Sequence, residues 1–501
     1  MRTSYSEALS RELGAKRKAM IGEFLQRWFL LGGFISSDTY KRTMWSANYD
    51  LSRSPAAYHL TLRKGLPETG ANNRLIMAGH EWMLRQWFLK PLKRRDIELA
   101  IDWYTTKSAV PLFPVEIFDD LLRTQSGQNI YLPIDIDGFP GGQTFLAGVP
   151  ALVFTGVGGI VSFLEPQMCR YYGPVIHATK GRLMHEAAGD RSAEFGYRAD
   201  PNEPMTMAKL LAIYIGNGGS RILTSADIAE FMFPWLFKTI GTIGHEFMCA
   251  LQDFLKGLDQ AEREAMELFV TAHGNGSLLC DLVDAETVGL ENAIRVFKNH
   301  IEVRALGIRV DSGDIAAQCV QIYLRMKAEG IEGRTIVFED EVTPDKVREV
   351  FAYFLEHTGV EPTMLFPGAG GYYYRAFHRD TVSAAFKRSS TNGHPNTKFS
   401  NSPGKESVPG IIRVYGRGDC MVVADESENI DGIPLYVPLV RKGRIVYSED
   451  MDFQRQARRA EETWSQYTHY EFSPLISEWM TKFRQMRAEA QERVRALQRA
   501  A

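Results

Sequence analysis

Four polar residues around a glycine, in an eleven-residue stretch, carry the first chemical signal in this chain. In Leu306–Ala316, reading LGIRVDSGDIA, they are Arg309, Asp311, Ser312 and Asp314, with Gly313 between the last two. Ala305 to Val310 has the pattern of a short buried strand, and the apolar spacing from Ile315 onward is that of an amphipathic helix. Arg309 and Asp311 are two residues apart, so an extended backbone projects both to one side. That sets a cation beside a carboxylate at the carboxyl end of a strand. Gly313 permits the tight turn that follows. The same residues also describe a helix start, with Asp311 or Ser312 as N-cap and Asp314 facing the helix dipole.

A second signal is TIGTIGHEFM, residues 239 to 248, where a turn of small residues presents His245 at a helix start. A helix N-terminus disfavours the imidazolium, which predicts a neutral, nucleophilic ring, and Glu246 is placed to orient it. A packing histidine is the plainer alternative. Downstream, Gly368-Ala369-Gly370-Gly371 can offer backbone N–H groups to a phosphate, and Arg379 can add a fixed positive charge. Acidic residues at other strand ends, Asp281 and Asp340 among them, are candidate magnesium ligands beside substrate phosphates. This combination predicts a phosphorylated sugar carrying a diphosphate. A dinucleotide is disfavoured, because no strand-linked GxGxxG occurs.

The elements that position these groups alternate strand and helix. Strand-like 277–283 precedes helix 289–301, 305–310 precedes the helix from Ile315, 334–338 precedes a helix capped by Thr343 with Pro344 at N1, and 363–366 leads into PGAGG. That order is the signature of a parallel sheet, open or closed into a barrel. Polar groups recur where the strands end: Arg198, Asp281 and Asp284, Arg309 and Asp311, Glu339 and Asp340, and the glycines. Ligands bind at that edge in such folds. Further helical patterns cover 161–188 (broken near Pro174), 208–216, 225–233 and 245–255, with a strand-like 193–199. From Asn129 to 158 the alternation is that of short strands. Residues 7–33 read as helix, and from Ser473 and Pro474 a helix carries an apolar stripe through Leu497.

Composition narrows the class. The chain has 501 residues, enough for several structural units, and a formal net charge of −3, which argues against a nucleic-acid or membrane binder. Its 5 cysteines are scattered without a CxxC pair, which disfavours zinc and a disulfide framework and fits a reducing cytoplasm. The N-terminus lacks a secretory apolar core, and apolar runs such as Trp28 to Leu31 are far too short to span a bilayer.

Taken together, SDTYKRTM (37–44), ATKGRL (178–183), EFGYR (194–198), GTIGHEF (241–247), LLCDLVDAETVG (278–289), GIRVDSGD (307–314), FEDEVT (338–343), PGAGG (367–371) and KFSNSPGK (398–405) fall in one order. In that order, over about residues 36 to 445, the chain resembles the nicotinate phosphoribosyltransferase family, with a related likeness to nicotinamide phosphoribosyltransferase. The resemblance implies an α/β fold: an irregular parallel βα barrel of the type II phosphoribosyltransferase kind, plus a smaller β-rich domain built from N- and C-terminal segments. The expected organisation is a helical extension (1–34), an α+β domain (35–158), the catalytic barrel (159–390), a β segment returning to the N-terminal domain (391–450) and a helical tail (451–501).

The resemblance also implies roles. Phe195 and Tyr40 of the partner subunit would sandwich the pyridine ring, so the active species would be a homodimer with shared sites. Arg198 and Arg309 would hold carboxylate or phosphate, with Thr242 and Ser225 also lining the substrate. Asp311 would stand near the reacting ring and sugar, and Gly368, Gly370, Gly371 and Arg379 would cradle the 5-phosphate. His245 matches the histidine phosphorylated from ATP. The implied reaction joins nicotinate to phosphoribosyl pyrophosphate (PRPP), with Mg2+ and coupled ATP hydrolysis. Nicotinamide as the base, or a non-catalytic PRPP- or nucleotide-binding paralogue, are the alternatives. The Thr224-Ser225 pair favours nicotinate, since an aspartate in place of the serine would repel a carboxylate. Departures are Ala199 and Asp200 after Arg198, Glu339 where a small polar residue is expected, and Pro367 before the glycines.

Overall fold

The computed structural model describes residues 37–85, 92–107, 115–199, 203–252, 257–303, 305–375, 378–400 and 405–500. The helix expected over 7–33 lies outside them. The alternation of strand and helix folds as one seven-stranded parallel sheet. Across it the strands run Phe237–Thr239, Ile222–Thr224, Ala193–Glu194, Leu365–Ala369, Thr335–Phe338, Leu306–Val310 and Gly276–Leu279. The sheet curls until Thr242, just past one edge strand, bridges Ser277 in the other. The barrel is thus narrow and irregular, closed by a single bridge.

Burial on both faces explains why the central strands are mostly apolar. Leu278, Ile308, Ile336 and Leu365 are fully buried. Helices Val288–Asn299, Ile315–Ala328 and Pro344–Thr358 follow successive strands. The last begins as its sequence predicts: Thr343 Oγ1 accepts from the Lys346 N–H at 3.2 Å, Pro344 opens the first turn, and Gly359 ends it at φ +66°.

Three boundaries differ from the pattern. The last barrel strand runs through Pro367 to Ala369, where 363–366 was expected. Leu365 to Pro367 pair with one neighbour and Gly368 and Ala369 with the other, so the proline sits where the strand changes partner. Strand 193–199 stops at Glu194, because the Gly196 N–H turns back to the Glu194 side chain at 2.6 Å. The break expected near Pro174 falls instead around Leu164 and Cys169; Pro174 lies in the first turn of helix Tyr172–Ala188, where its missing N–H costs nothing.

The smaller β unit joins distant segments, as expected. Its sheet orders His394–Pro395, Ala384–Thr391, Pro55–Leu62, Pro150–Val157, Ile134–Gly138, Val437–Arg441 and Arg444–Ile445. Strand Ala384–Thr391 therefore belongs to this sheet, although the sequence assigns it to the barrel segment. The C-terminal helix Pro474–Ala500 packs through Ile476 and Met480, while Met486, Val494 and Leu497 are exposed. Among the described residues no helix is long and apolar enough to cross a membrane. All five cysteines are free thiols.

Candidate active site

Strand Leu306–Val310 delivers Arg309 and Asp311 to the carboxyl edge of the barrel. The N-cap of the next helix is Asp314, whose side chain accepts from the Ala317 N–H at 3.1 Å. The cap expected at Asp311 or Ser312 is therefore corrected, and Asp311 is left for another role. Gly313 has φ +84°, and a Cβ there would meet the Gln318 amide at 2.4 Å, so only glycine makes this turn. Arg309 Nη2 lies 3.7 Å from Asp311 Oδ2, on the shared side that their spacing requires.

The adjoining strand, Thr335–Phe338, adds Glu339. Its Oε1 is 3.7 Å from Arg309 Nε, beyond hydrogen-bonding range. Arg309 Nε is buried and, among the described residues, has no hydrogen-bond partner. Burial pushes the Glu339 carboxyl up to about 7, with Arg309 and Arg198 opposing and Asp311 and Asp281 reinforcing the rise. Burial raises Asp311 as well, against the charge of Arg309. The loop then turns through Asp340 and Glu341 at φ +65° and +48°, a strained conformation for residues with a side chain. Arg375 Nη2 grips Glu341 Oε1 at 2.6 Å.

His245 begins the helix His245–Ala250, too short to exert much of a dipole. Its ring is oriented by Asp281, with Nε2 and Oδ1 2.9 Å apart, and not by the neighbouring Glu246 as expected. Asp281 is thereby engaged with the histidine. Asp284 turns away to its own chain, accepting from the Thr287 N–H at 2.6 Å and the Thr287 hydroxyl at 2.7 Å. Thr242, expected at the substrate, donates its hydroxyl to the Ser277 carbonyl at 2.6 Å and helps close the barrel.

Phe195 explains the glycines. A Cβ on Gly368 would stand 2.6 Å from the Phe195 ring and 2.8 Å from Glu339 Cγ, and one on Gly370 3.1 Å from the Phe195 carbonyl. The Phe195 N–H donates to the Ala369 carbonyl at 3.1 Å, which fixes the aromatic residue over the glycine strand. Beneath it, buried Glu194 accepts from Thr224 Oγ1 at 2.8 Å, and the Ser225 N–H donates to the Glu194 carbonyl at 3.1 Å. Exposed Ser225 is thus tied to the Phe195 segment.

Sequence reasoning missed Lys180, although a lysine within an apolar helical run was a visible signal. Its ammonium donates to the carbonyls of Tyr372 at 2.7 Å and Arg375 at 2.6 Å, holding the turn after the glycines. Burial pulls it down to about 8. Arg375 was missed too; its Nε lies 3.7 Å from where a Gly371 Cβ would stand.

Tyr40 and Arg379 fall elsewhere. The Tyr40 hydroxyl donates to Glu165 Oε2 at 3.1 Å, Lys41 pairs with the same carboxylate, and Lys387 Nζ reaches Glu165 Oε1 at 3.3 Å. Arg379 pairs with Asp380 at 2.7 Å and interacts electrostatically with Glu165 and Cys169. The interactions of Arg379 thus lie with Asp380 and toward this second, Glu165-centred group. Among the described residues no three His, Cys, Asp or Glu side chains gather to hold a metal.

Comparison with solved structures places the fold, and a family match places the class. The fold is that of human nicotinic acid phosphoribosyltransferase (TM-score 0.61, 16% identity, covering 89% of this chain and 99% of that one). It also matches the nicotinate-nucleotide pyrophosphorylase of Pyrococcus furiosus (TM-score 0.58, 17% identity, 85% and 95% covered). Residues 193–458 match the nicotinate phosphoribosyltransferase (NAPRTase) family, and the chain belongs to it. Among its relatives, nicotinate phosphoribosyltransferase pncB2 of Mycobacterium tuberculosis (strain ATCC 25618 / H37Rv) is 24% identical over 344 residues, 65% of this chain and 67% of the relative. The nicotinate phosphoribosyltransferase of Xanthomonas euvesicatoria pv. vesicatoria (strain 85-10) is 26% identical over 231 residues, 46% and 56% of the two chains.

Proposed function

We propose that the barrel mouth transfers the phosphoribosyl group of PRPP to nicotinate, giving nicotinate mononucleotide and pyrophosphate in NAD synthesis. The carrying observation is that two pairs, Arg309–Asp311 and His245–Asp281, meet at the carboxyl edge of a barrel whose loops match this family. The pyridine nitrogen supplies its lone pair to the anomeric carbon as the bond to pyrophosphate breaks, so no covalent sugar–enzyme intermediate is required. Positive charge develops on the ribose, and Asp311 would be the carboxylate that stabilises it. Phe195 supplies one aromatic face for the ring, and the Gly368–Gly371 segment offers backbone N–H groups to the 5-phosphate.

The finer reading is that His245 accepts a phosphoryl group from ATP, its ring aligned by Asp281, and that hydrolysis of the phosphohistidine drives the transfer forward. Mg2+ would be held mainly by the diphosphate with Asp340 and, when His245 releases it, Asp281, and would neutralise phosphate charge. Tyr40, gathered with Lys41, Lys387 and Arg379 around Glu165, would complete the site of a second copy in a homodimer. A cytoplasmic location suits the five free thiols.

The test is mononucleotide formation from PRPP with nicotinate and nicotinamide in parallel, each with and without ATP. Nicotinate turnover stimulated by ATP is the expected result, together with a PRPP-dependent ATPase lost in His245→Ala. Preference for nicotinamide would shift the base assignment. Absence of turnover with both would leave a PRPP- or nucleotide-binding protein without transfer activity.

A further inference from the structure

The nicotinate reading leaves the departure at Glu339 unexplained, and the inference here rests on that reading. Glu339 stands beside Arg309, one of the two arginines expected to receive the anion of the base. Arg309 Nε is a buried donor without a partner among the described residues, and its guanidinium lies 3.7 Å from both Glu339 Oε1 and Asp311 Oδ2. Neither carboxylate is close enough to satisfy it, so the guanidinium retains donors for a ligand. The ring of Phe195 and Cγ of Glu339 press on the same point, the place of a Gly368 Cβ, at 2.6 and 2.8 Å. A pyridine stacked on Phe195 with its 3-substituent toward Arg309 therefore meets the Glu339 carboxyl.

We infer that Glu339 is a specificity-determining residue, which weakens selection for an anionic base by sharing Arg309 with it. A carboxylate substituent competes with Glu339 for the guanidinium and lies against another acceptor. A carboxamide can instead donate its N–H to Glu339 while its oxygen accepts from Arg309. The other charges facing Glu339 are Arg198, Asp311 and Asp281, so the surroundings contain no additional excess of cations to favour the acid. The pocket of this chain should consequently distinguish nicotinate from nicotinamide less sharply than one with a small polar residue at this position.

The experiment measures kcat and KM for nicotinate and for nicotinamide in the full chain and in two variants. Glu339→Gln removes the charge at constant volume, and Glu339→Ser withdraws the side chain from Arg309. Removing the competing charge beside Arg309 should raise the nicotinate-to-nicotinamide ratio of kcat/KM about ten- to hundredfold, through a lower KM for nicotinate with kcat little changed. An unchanged ratio in both variants, in protein with the parent's thermal melting, overturns the role. A variant that lowers both bases equally also overturns it, since that marks Glu339 as packing support. If the parent chain turns over neither base, the transfer reading itself fails and this role falls with it.

Discussion

The His245 ring and the Asp281 carboxylate, 36 residues apart in sequence, meet at 2.9 Å because the barrel closes between the two strands that precede them. His245 follows edge strand Phe237–Thr239 and Asp281 follows edge strand Gly276–Leu279; the Thr242–Ser277 bridge joins those edges. Closure of the fold and alignment of the proposed phosphoryl acceptor are thus one structural event.

Asp281→Asn should keep the fold and a hydrogen-bonding group but lose the charge that supports a cationic or phosphorylated ring. PRPP-dependent ATP hydrolysis is expected to fall about ten- to hundredfold, the size of effect seen when a supporting carboxylate is lost. ATP-independent transfer should fall less. A radiolabel or phosphate-release assay read beside mononucleotide formation separates the two, and equal loss of both would place Asp281 in substrate binding.

Gly368→Ala tests whether Phe195 and the glycine strand act as a unit. The new methyl would stand 2.6 Å from the ring and can be accommodated only if Phe195 or Glu339 shifts. Overpacking of this kind costs about 1–3 kcal/mol, visible as a lower melting temperature. The KM for the base should rise more than the KM for PRPP. A selective rise for PRPP would show that the methyl disturbs the phosphate-binding backbone and leaves the Phe195 face intact.

What the sequence made legible follows the range of the interactions. The barrel could be read from alternating strands and helices, and the Arg309–Asp311 pair from a spacing of two, since both are local. Which aspartate caps the helix could not: Asp311 and Asp314 are chemically the same, and only the backbone turn at Gly313 selects between them. The His245–Asp281 pair depends on barrel closure, so the adjacent Glu246 was the natural but mistaken partner. Arg379 was set beside the glycine loop by proximity along the chain and by resemblance; the residues after it leave the barrel and enter the antiparallel sheet as strand Ala384–Thr391, a change of unit that no local pattern announces.

Stability should pass through a maximum between two opposed titrations. His59 and His80, buried and held neutral, are pulled down to about 4 by desolvation. Their folded values lie below the ordinary 6.5, so the stability they confer is present above 6.5 and is lost as pH falls toward about 4. Glu81 is buried with neither carboxyl oxygen hydrogen-bonded among the described residues, and desolvation pushes it up to about 8. Its folded value lies above the ordinary carboxylate value, so stability is lost as pH rises from about 4.5 through 8. Melting temperatures across pH 5 to 9 should show both limbs, and Glu81→Gln should flatten the alkaline one and steepen the acid one, where the two windows overlap. An alkaline limb unaltered in that variant would assign the loss to another group.

Complementation offers the sharpest test of the second, Glu165-centred group. Tyr40 is 49% exposed, and its contacts are with Lys41 of its own helix and with Glu165, so its ring is available to another copy. If Tyr40 serves the partner's barrel, Tyr40→Ala and Asp311→Asn homodimers should each be nearly inactive. Mixing and reassembling the two creates one site that carries both lesions and one that carries neither. About a quarter of parental activity should return on random reassortment, as half the dimers are mixed and each has one intact site. Co-expression with two affinity tags would isolate the mixed dimer, where half-parental activity is expected. No recovery in that purified species would show that Tyr40 acts on its own chain's barrel.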